Sequence, residues 1–444
     1  MKTIYKQISR NNIVRLLTST GYLYFALSVI FSQIAFNMLN IVLIFLVFYI
    51  TSSNFAVSML VLTILAPQIF LSFFGGVVAD TKNKKNILVF GNFARSIALL
   101  ILFVRPYSLP VIYFVTLVVS VITQFYVPAE APLIPHLTKK KYLVAANSIF
   151  GIGLFGSILI GYVLAGPVIN GLGRAGAFLF LSGVFLLAAF FALLIPYVPR
   201  LKKRDIVDAL GFSNVLKVKK SIRDEFSESA KLLRSKSGVG SAFFLLIFSQ
   251  VIVLILATLV PGYAKTILQV PAEDLSILLF APAALGMIIA ALFFGSIFQK
   301  SDKQKIMTIG VFISGIVLLL FPLTSRIISR DFVQFLNPFL PGFLKINVYH
   351  FVLLIAFFAG IANALIFVPS QAIIQEKVPE NFRSKIYGLL FALIGAFSLF
   401  PIIIAGGVAD IFGVGTVLVC MGIVIILIGI IRSKILLFKL KLGQ

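Results

Sequence analysis

Charge is the scarcest thing in this sequence. Only 12% of its 444 residues are Asp, Glu, Lys or Arg, against roughly 25% in a soluble globular protein. So few charges cannot cover the water-facing surface of a soluble chain this long. A single cysteine (Cys420) and two histidines (His136, His350) exclude a thiolate zinc site, a disulfide framework and a haem-type ligand set. No phosphate loop of the Walker type occurs, which disfavours nucleotide-driven pumping. Ten-residue alternating strands are also missing, so the hydrophobic excess (60% of residues, mean hydropathy +1.10) is not that of a β-barrel. What remains is an all-α, polytopic membrane protein, with no cofactor and no metal expected.

Apolar runs near twenty residues recur, and a run of that length crosses a bilayer as a helix. Twelve are expected, at about 22–49, 55–79, 86–105, 109–134, 143–167, 174–196, 240–264, 276–299, 305–325, 348–372, 385–409 and 412–432. The basic residues orient them. Loops on one side collect 31 of the 38 Lys and Arg, including eleven between Arg200 and Lys236, and basic loops stay in the cytoplasm. Both termini are therefore expected in the cytoplasm of a cell-membrane protein. The +24 net charge is a topology signal and not a nucleic-acid footprint, because no basic stretch forms a folded domain with interleaved aromatics.

The two halves repeat. Ile30-Phe31-Ser32-Gln33 in span 1 recurs as Ile247-Phe248-Ser249-Gln250 in span 7. Gly76 through Lys85 after span 2 answers to Gly295 through Lys305 after span 8, and Pro128 of span 4 to Pro369 of span 10. The offset grows by about 22 residues, which the extra segment 326–346 accounts for. The repeat implies two pseudo-symmetric six-helix bundles, 1–196 and 240–444, with a site between them near mid-membrane. The joining stretch 197–239 carries Ile222, Phe226, Ala230 and Leu233 at helical spacing among charges. It reads either as an amphipathic helix on the cytoplasmic surface or as a solvated tether. Segment 326–346 is expected to cap the outer side.

The loop Gly75-Gly76-Val77-Val78-Ala79-Asp80-Thr81-Lys82-Asn83-Lys84-Lys85 resembles the signature loop of the major facilitator superfamily: glycine, three residues, aspartate, then two basic residues four and five further on. The resemblance implies the major facilitator fold, with Gly76, Asp80, Lys84 and Lys85 in a cytoplasmic clasp that holds the bundles in one state. Thr81 and Asn83 depart from the pattern, and Gln299-Lys300 replaces Asp80-Thr81 in the second half. Tyr49-Ile50-Thr51-Ser52-Ser53, Arg95, Pro128 through Pro135, and Ala145-Ala146-Asn147-Ser148 are similar to the twelve-span drug-efflux branch that includes macrolide and siderophore exporters. Two positions depart from that branch as well. Glu130 stands where it has a basic residue, and Gly161-Tyr162 stands where its antiporters have glycine-proline.

Polar residues within spans are the functional candidates, because lipid makes them costly. Arg95 is about ten residues into span 3, roughly 15 Å deep at helical rise. Its expected partners are Asp80 and Glu130, in a gating charge network. Gln33, Asn37 and Asn40 form one polar face of span 1 at i, i+4 and i+7. They serve either as interhelical glue or as a cavity lining, and the resemblance favours the lining. Gln250 keeps that face in span 7, and Gln124 and Asn363 join the substrate candidates, with Thr123 and Asn147 of lower weight. All 14 acids lie at span ends, in the linker or in loops, which disfavours a multivalent cation as substrate. The expectation is a monomeric, non-enzymatic secondary transporter. It exports a hydrophobic or amphipathic small molecule by alternating access, with protons as one candidate coupling ion. A lysophospholipid or lipid translocator on the same fold is the alternative.

Overall fold

The computed structural model describes Leu16 and residues 19–196, 238–296, 301–324, 337–339 and 348–441. The expected surface helix around 222–233 and nearly all of the expected cap at 326–346 lie outside these residues. Among the described residues the chain is helical throughout, and eleven helical stretches are long and apolar enough to span a membrane. Their main helices are α1 Thr20–Thr51, α2 Asn54–Thr81, α3 Lys84–Val104, α4 Leu109–Glu130, α5 Leu143–Leu194, α6 Val239–Tyr263, α7 Ala281–Ser296, α8 Lys303–Leu320, α9 Val348–Lys377, α10 Glu380–Phe412 and α11 Val414–Lys441. The turns from Ala272 onward bring α7 to spanning length. α5 contains spans 5 and 6. At Gly173 the backbone leaves helical geometry (φ 71°, ψ 169°), a region that glycine enters without a Cβ penalty. Counting its limbs separately gives twelve spans.

Helices are the form available here because a chain in hydrocarbon must satisfy its backbone N–H and C=O groups internally. Local sequence sets several starts. Asn83, where the signature loop usually has glycine, caps α3 by accepting from the Lys85 amide at 3.0 Å. Asp302 does the same for α8 from Gln304 at 2.9 Å. Each cap satisfies one of the free N–H groups of a helix start.

The chain divides into two compact units, Met1–Ile50 with Leu60–Lys219, and Thr51–Met59 with Lys220–Gln444. The first turns of α2 thus group with the second unit. In the first unit α1 is held by hydroxyls seeking carbonyls on α5: Tyr22 donates to Ala146 at 2.7 Å, Ser28 to Ala188 at 2.8 Å, and Ser157 of α5 back to Ile30 at 3.2 Å. Small residues allow this approach. A Cβ added to Gly161 would lie 2.9 Å from the Ile34 carbonyl oxygen and the Met38 nitrogen. In the second unit α7 and α9 meet the same way, with Gly286 against the Phe357 carbonyl and Gly360 against that of Ala283.

Candidate functional site

The polar interior of the first unit gathers around Arg95. On α3, Asn92, Arg95 and Ser96 stand at i, i+3 and i+4 and share one face. On α4, Tyr126 and Glu130 are four apart. Gly91 has no side chain, so the Tyr126 ring can lie on α3, where an added Cβ would come within 3.0 Å of it. The result is a guanidinium stacked over an aromatic face: the Arg95 Cζ is 4.2 Å from the Tyr126 centroid, with Phe185 at 5.7 Å and Phe36 at 5.9 Å. Ring quadrupoles stabilise such a cation, most strongly when it is desolvated.

Arg95 is 1% exposed and Glu130 2%, so both charges are shut away from water. Arg95 Nη1 donates to Ser32 Oγ at 3.1 Å, Ser32 donates to Asn92 Oδ1 at 2.7 Å, and Asn92 Nδ2 donates to the Tyr126 hydroxyl at 3.4 Å. Arg95 Nε and Nη2 have no hydrogen-bond partner among the described residues. The Glu130 carboxylate accepts from Gln33 Nε2 at 3.1 and 3.4 Å. Arg95 and Glu130 attract one another electrostatically, yet among the described residues they form no direct ion pair.

This arrangement differs from the expected network. Glu130 is not at a solvated membrane edge. It is buried in the last turn of α4, where the helix runs on into the 3-10 turn Ala131–Leu133. Arg95 is held by Ser32 and Tyr126, and the side chain of Asp80 lies outside what the structure describes. The close approach in the signature loop is made by Gly75 and not Gly76. A Cβ on Gly75 would sit 1.8 Å from the Gln124 carbonyl oxygen, whereas one on Gly76 meets nothing within 4 Å. Of the two lysines, Lys84 is buried and Lys85 donates to the Ile195 carbonyl at 2.6 Å, tying the start of α3 to the end of α5.

The amides of α1 separate in role. Gln33 belongs to the charged cluster, and Asn37 donates to the Gln33 carbonyl at 2.7 Å. Asn40 is half-buried with no hydrogen bond among the described residues. Gln124 donates to Ser120 on its own helix at 3.2 Å, as Thr123 does to Val119 and Asn147 to Leu143. Gln250 and Asn363 are half-buried in the second unit. Sequence reasoning missed Ser32, Asn92 and Tyr126. The spacing Asn92, Arg95, Ser96 on one face of an apolar helix could have pointed to Asn92, whereas no local signal marks Ser32 or Tyr126 as partners of Arg95.

The helical architecture has counterparts among known proteins. The sequence model described as Major Facilitator Superfamily matches residues 25–336. The chain belongs to the major facilitator superfamily. A relative in Bacillus subtilis (strain 168), "Uncharacterized MFS-type transporter YfiS", is 23% identical over 394 residues, covering 86% of this chain and 85% of its own length. Solved structures share the fold. The nucleoside transporter NupG superposes with a TM-score of 0.64 at 12% identity, covering 93% of this chain and 98% of its own. A POT family transporter in complex with 5-aminolevulinic acid gives 0.66 at 14% identity, with 96% of each chain covered. This major facilitator protein is therefore a multi-pass membrane transporter, and the family points away from an enzyme.

Proposed function

We propose that the protein is a proton-coupled secondary exporter of a hydrophobic or amphipathic small molecule. It works as a monomer by alternating access, with both termini cytoplasmic. The observation that carries this reading is the enclosed Arg95–Glu130 pair with Gln33 on the carboxylate. Among the described residues this buried carboxylate has one amide donor and no ion-pair contact; such a group is costly as an anion, and taking up a proton removes that cost. Protonation also leaves Arg95 without an opposing charge, so the two protonation states favour different arrangements of α1, α3 and α4. Gln33 links this cluster to the amide face of α1. Asn40, with Asn37, Gln124, Gln250 and Asn363, is assigned to substrate contact, while Gly76, Asp80, Lys84, Lys85, Arg95 and Glu130 are assigned to gating. The absence of acids from the span centres supports a neutral, amphipathic or anionic substrate. Export as the direction rests on the resemblance to macrolide and siderophore exporters.

The test is transport by purified protein in proteoliposomes with an imposed pH gradient. The panel is one of amphiphiles together with a radiolabelled lysophospholipid. Gradient-driven movement of an amphiphile, lost in Glu130→Gln, is the expected result. Movement indifferent to the gradient removes proton coupling, and movement of the lysophospholipid alone replaces the exporter with the lipid translocator.

A further inference from the structure

We propose that Asn363, Phe367 and Gln371 of α9, with Tyr387 of α10, form a binding strip for an uncharged amphiphile that carries a hydrogen-bond acceptor such as an ester or amide carbonyl. The strip lies wholly within the second unit. It deepens the transporter reading, on which it rests, by naming a class of ligand. Asn363, Phe367 and Gln371 stand at i, i+4 and i+8, so they share one face of α9 over about 12 Å of helical rise. All three are half-buried, as is Tyr387. That face is neither the packed one nor the exposed apolar one. Ala362, Ile366 and Ser370 turn to the packed side. A Cβ on Gly310 of α8 would fall 3.0 Å from the Ala362 carbonyl oxygen and from Ile366 Cγ1, and Ser370 donates to Met307 Sδ at 2.9 Å. Leu354 and Phe358, on nearly the opposite side of the helix from Phe367, are exposed.

Hydrogen bonding sets what the strip takes. The Tyr387 hydroxyl donates to Gln371 Oε1. That occupies the acceptor of the amide and leaves its donor, Nε2, without a partner among the described residues. The Asn363 side chain has no hydrogen bond among them either. Open amides in a membrane helix are costly unless water or a ligand reaches them, and a donor fixed by Tyr387 selects an acceptor. The Phe367 ring between the two amides offers an apolar bed for a hydrocarbon chain. The repeat explains why the ligand carries no charge. The helix caps Asn83 and Asp302 are 219 residues apart, and Pro128 and Pro369 are 241 apart. At those offsets Arg95 answers to Ser314, Tyr126 to Phe367 and Glu130 to Gln371. The second copy keeps an aromatic ring and a hydrogen-bonding side chain and has neither charge. No Asp, Glu, Lys or Arg occurs on α9 from Val348 to Gln375, and Glu376 beyond them is paired with Lys303 at 2.7 Å. A charged headgroup on the strip would find no counter-charge along this stretch, which makes its burial costly.

The chain contains no tryptophan, so Phe367→Trp puts a single fluorescent reporter in the strip and Phe358→Trp puts one on the exposed apolar face. Full-length protein in lipid nanodiscs is titrated with the glycerol monoester of 11-bromoundecanoic acid, whose bromine quenches a tryptophan on contact. The charged counterparts are 11-bromoundecanoate and 11-bromoundecyltrimethylammonium. The monoester is expected to quench position 367 saturably, and position 358 only in proportion to its concentration in the bilayer. Each charged counterpart should half-saturate position 367 at a concentration more than about tenfold higher. Within the 367 reporter, Gln371→Ala and Asn363→Leu should each weaken monoester binding about three- to tenfold, the worth of one hydrogen bond. Tyr387→Phe removes one hydroxyl and little volume. It should weaken binding in the same direction, and it carries the test if Gln371→Ala does not fold. Quenching at 367 that fails to saturate overturns the proposal. So does an affinity that Asn363→Leu or Tyr387→Phe leaves unchanged, or a charged counterpart that binds as tightly as the monoester. The titration involves no gradient and no translocation, so its failure leaves the transporter reading standing, and transport indifferent to a pH gradient leaves the strip standing.

Discussion

A double-mutant cycle on Arg95 and Glu130 tests the reading of the buried cluster. Each side chain is almost wholly enclosed, at 1% and 2% exposure, and each is the other's opposing charge without direct contact. Glu130→Gln keeps the shape and the bond to Gln33 but leaves a buried cation alone. Arg95→Met keeps most of the volume but leaves a buried anion. Breaking a buried pair from one side costs about 3–5 kcal/mol, whereas replacing both partners by neutral groups is often neutral. Arg95 also forfeits the Tyr126 face, worth about 2 kcal/mol when desolvated. That loss is offset in part because Nε and Nη2, buried without partners among the described residues, no longer need hydration. Each single variant should therefore lower the midpoint of thermal unfolding in detergent by about 3–5 °C, at the unfolding entropy of a chain this long. The double variant should lie within about one degree of the parent. A double variant whose loss equals the sum of the singles would mean that the charges are independent, and the proposed proton switch would lose its basis.

Other variants separate packing from function. Gly75→Ala must push α2 and α4 apart, because the new Cβ would start 1.8 Å from a carbonyl oxygen. An unfolding midpoint within a degree of the parent would contradict this contact, since overpacking typically costs about 1–3 kcal/mol. Asn40→Leu should change stability by no more than about 0.5 kcal/mol, as Asn40 holds no hydrogen bond among the described residues. It should still slow proteoliposome transport of an amphiphile, and unimpaired transport would remove Asn40 from the substrate path.

The sequence by itself determined the class of the protein, the number of its spans and its family. Those properties are written in composition and in local patterns: apolar length for the spans, and the Gly75–Lys85 loop for kinship. Arg95 and Gln33 stood out for the same reason, since one charge or amide in an apolar run is visible without knowing its neighbours. Partnership is not local, and it becomes visible once the helices are packed together. The bond from Gln33 to Glu130 joins residues 97 apart, and that from Ser28 to Ala188 joins residues 160 apart. Asp410 reads in the chain as one more acid at a span end, yet its carboxylate accepts four hydrogen bonds from Ser53, Asn54 and Phe55, some 355 residues earlier. Gly75 and Gly76 are indistinguishable as letters. Which one admits a neighbouring carbonyl depends on the rotation of α2 against α4, and that rotation is fixed by how all the side chains between the helices pack together.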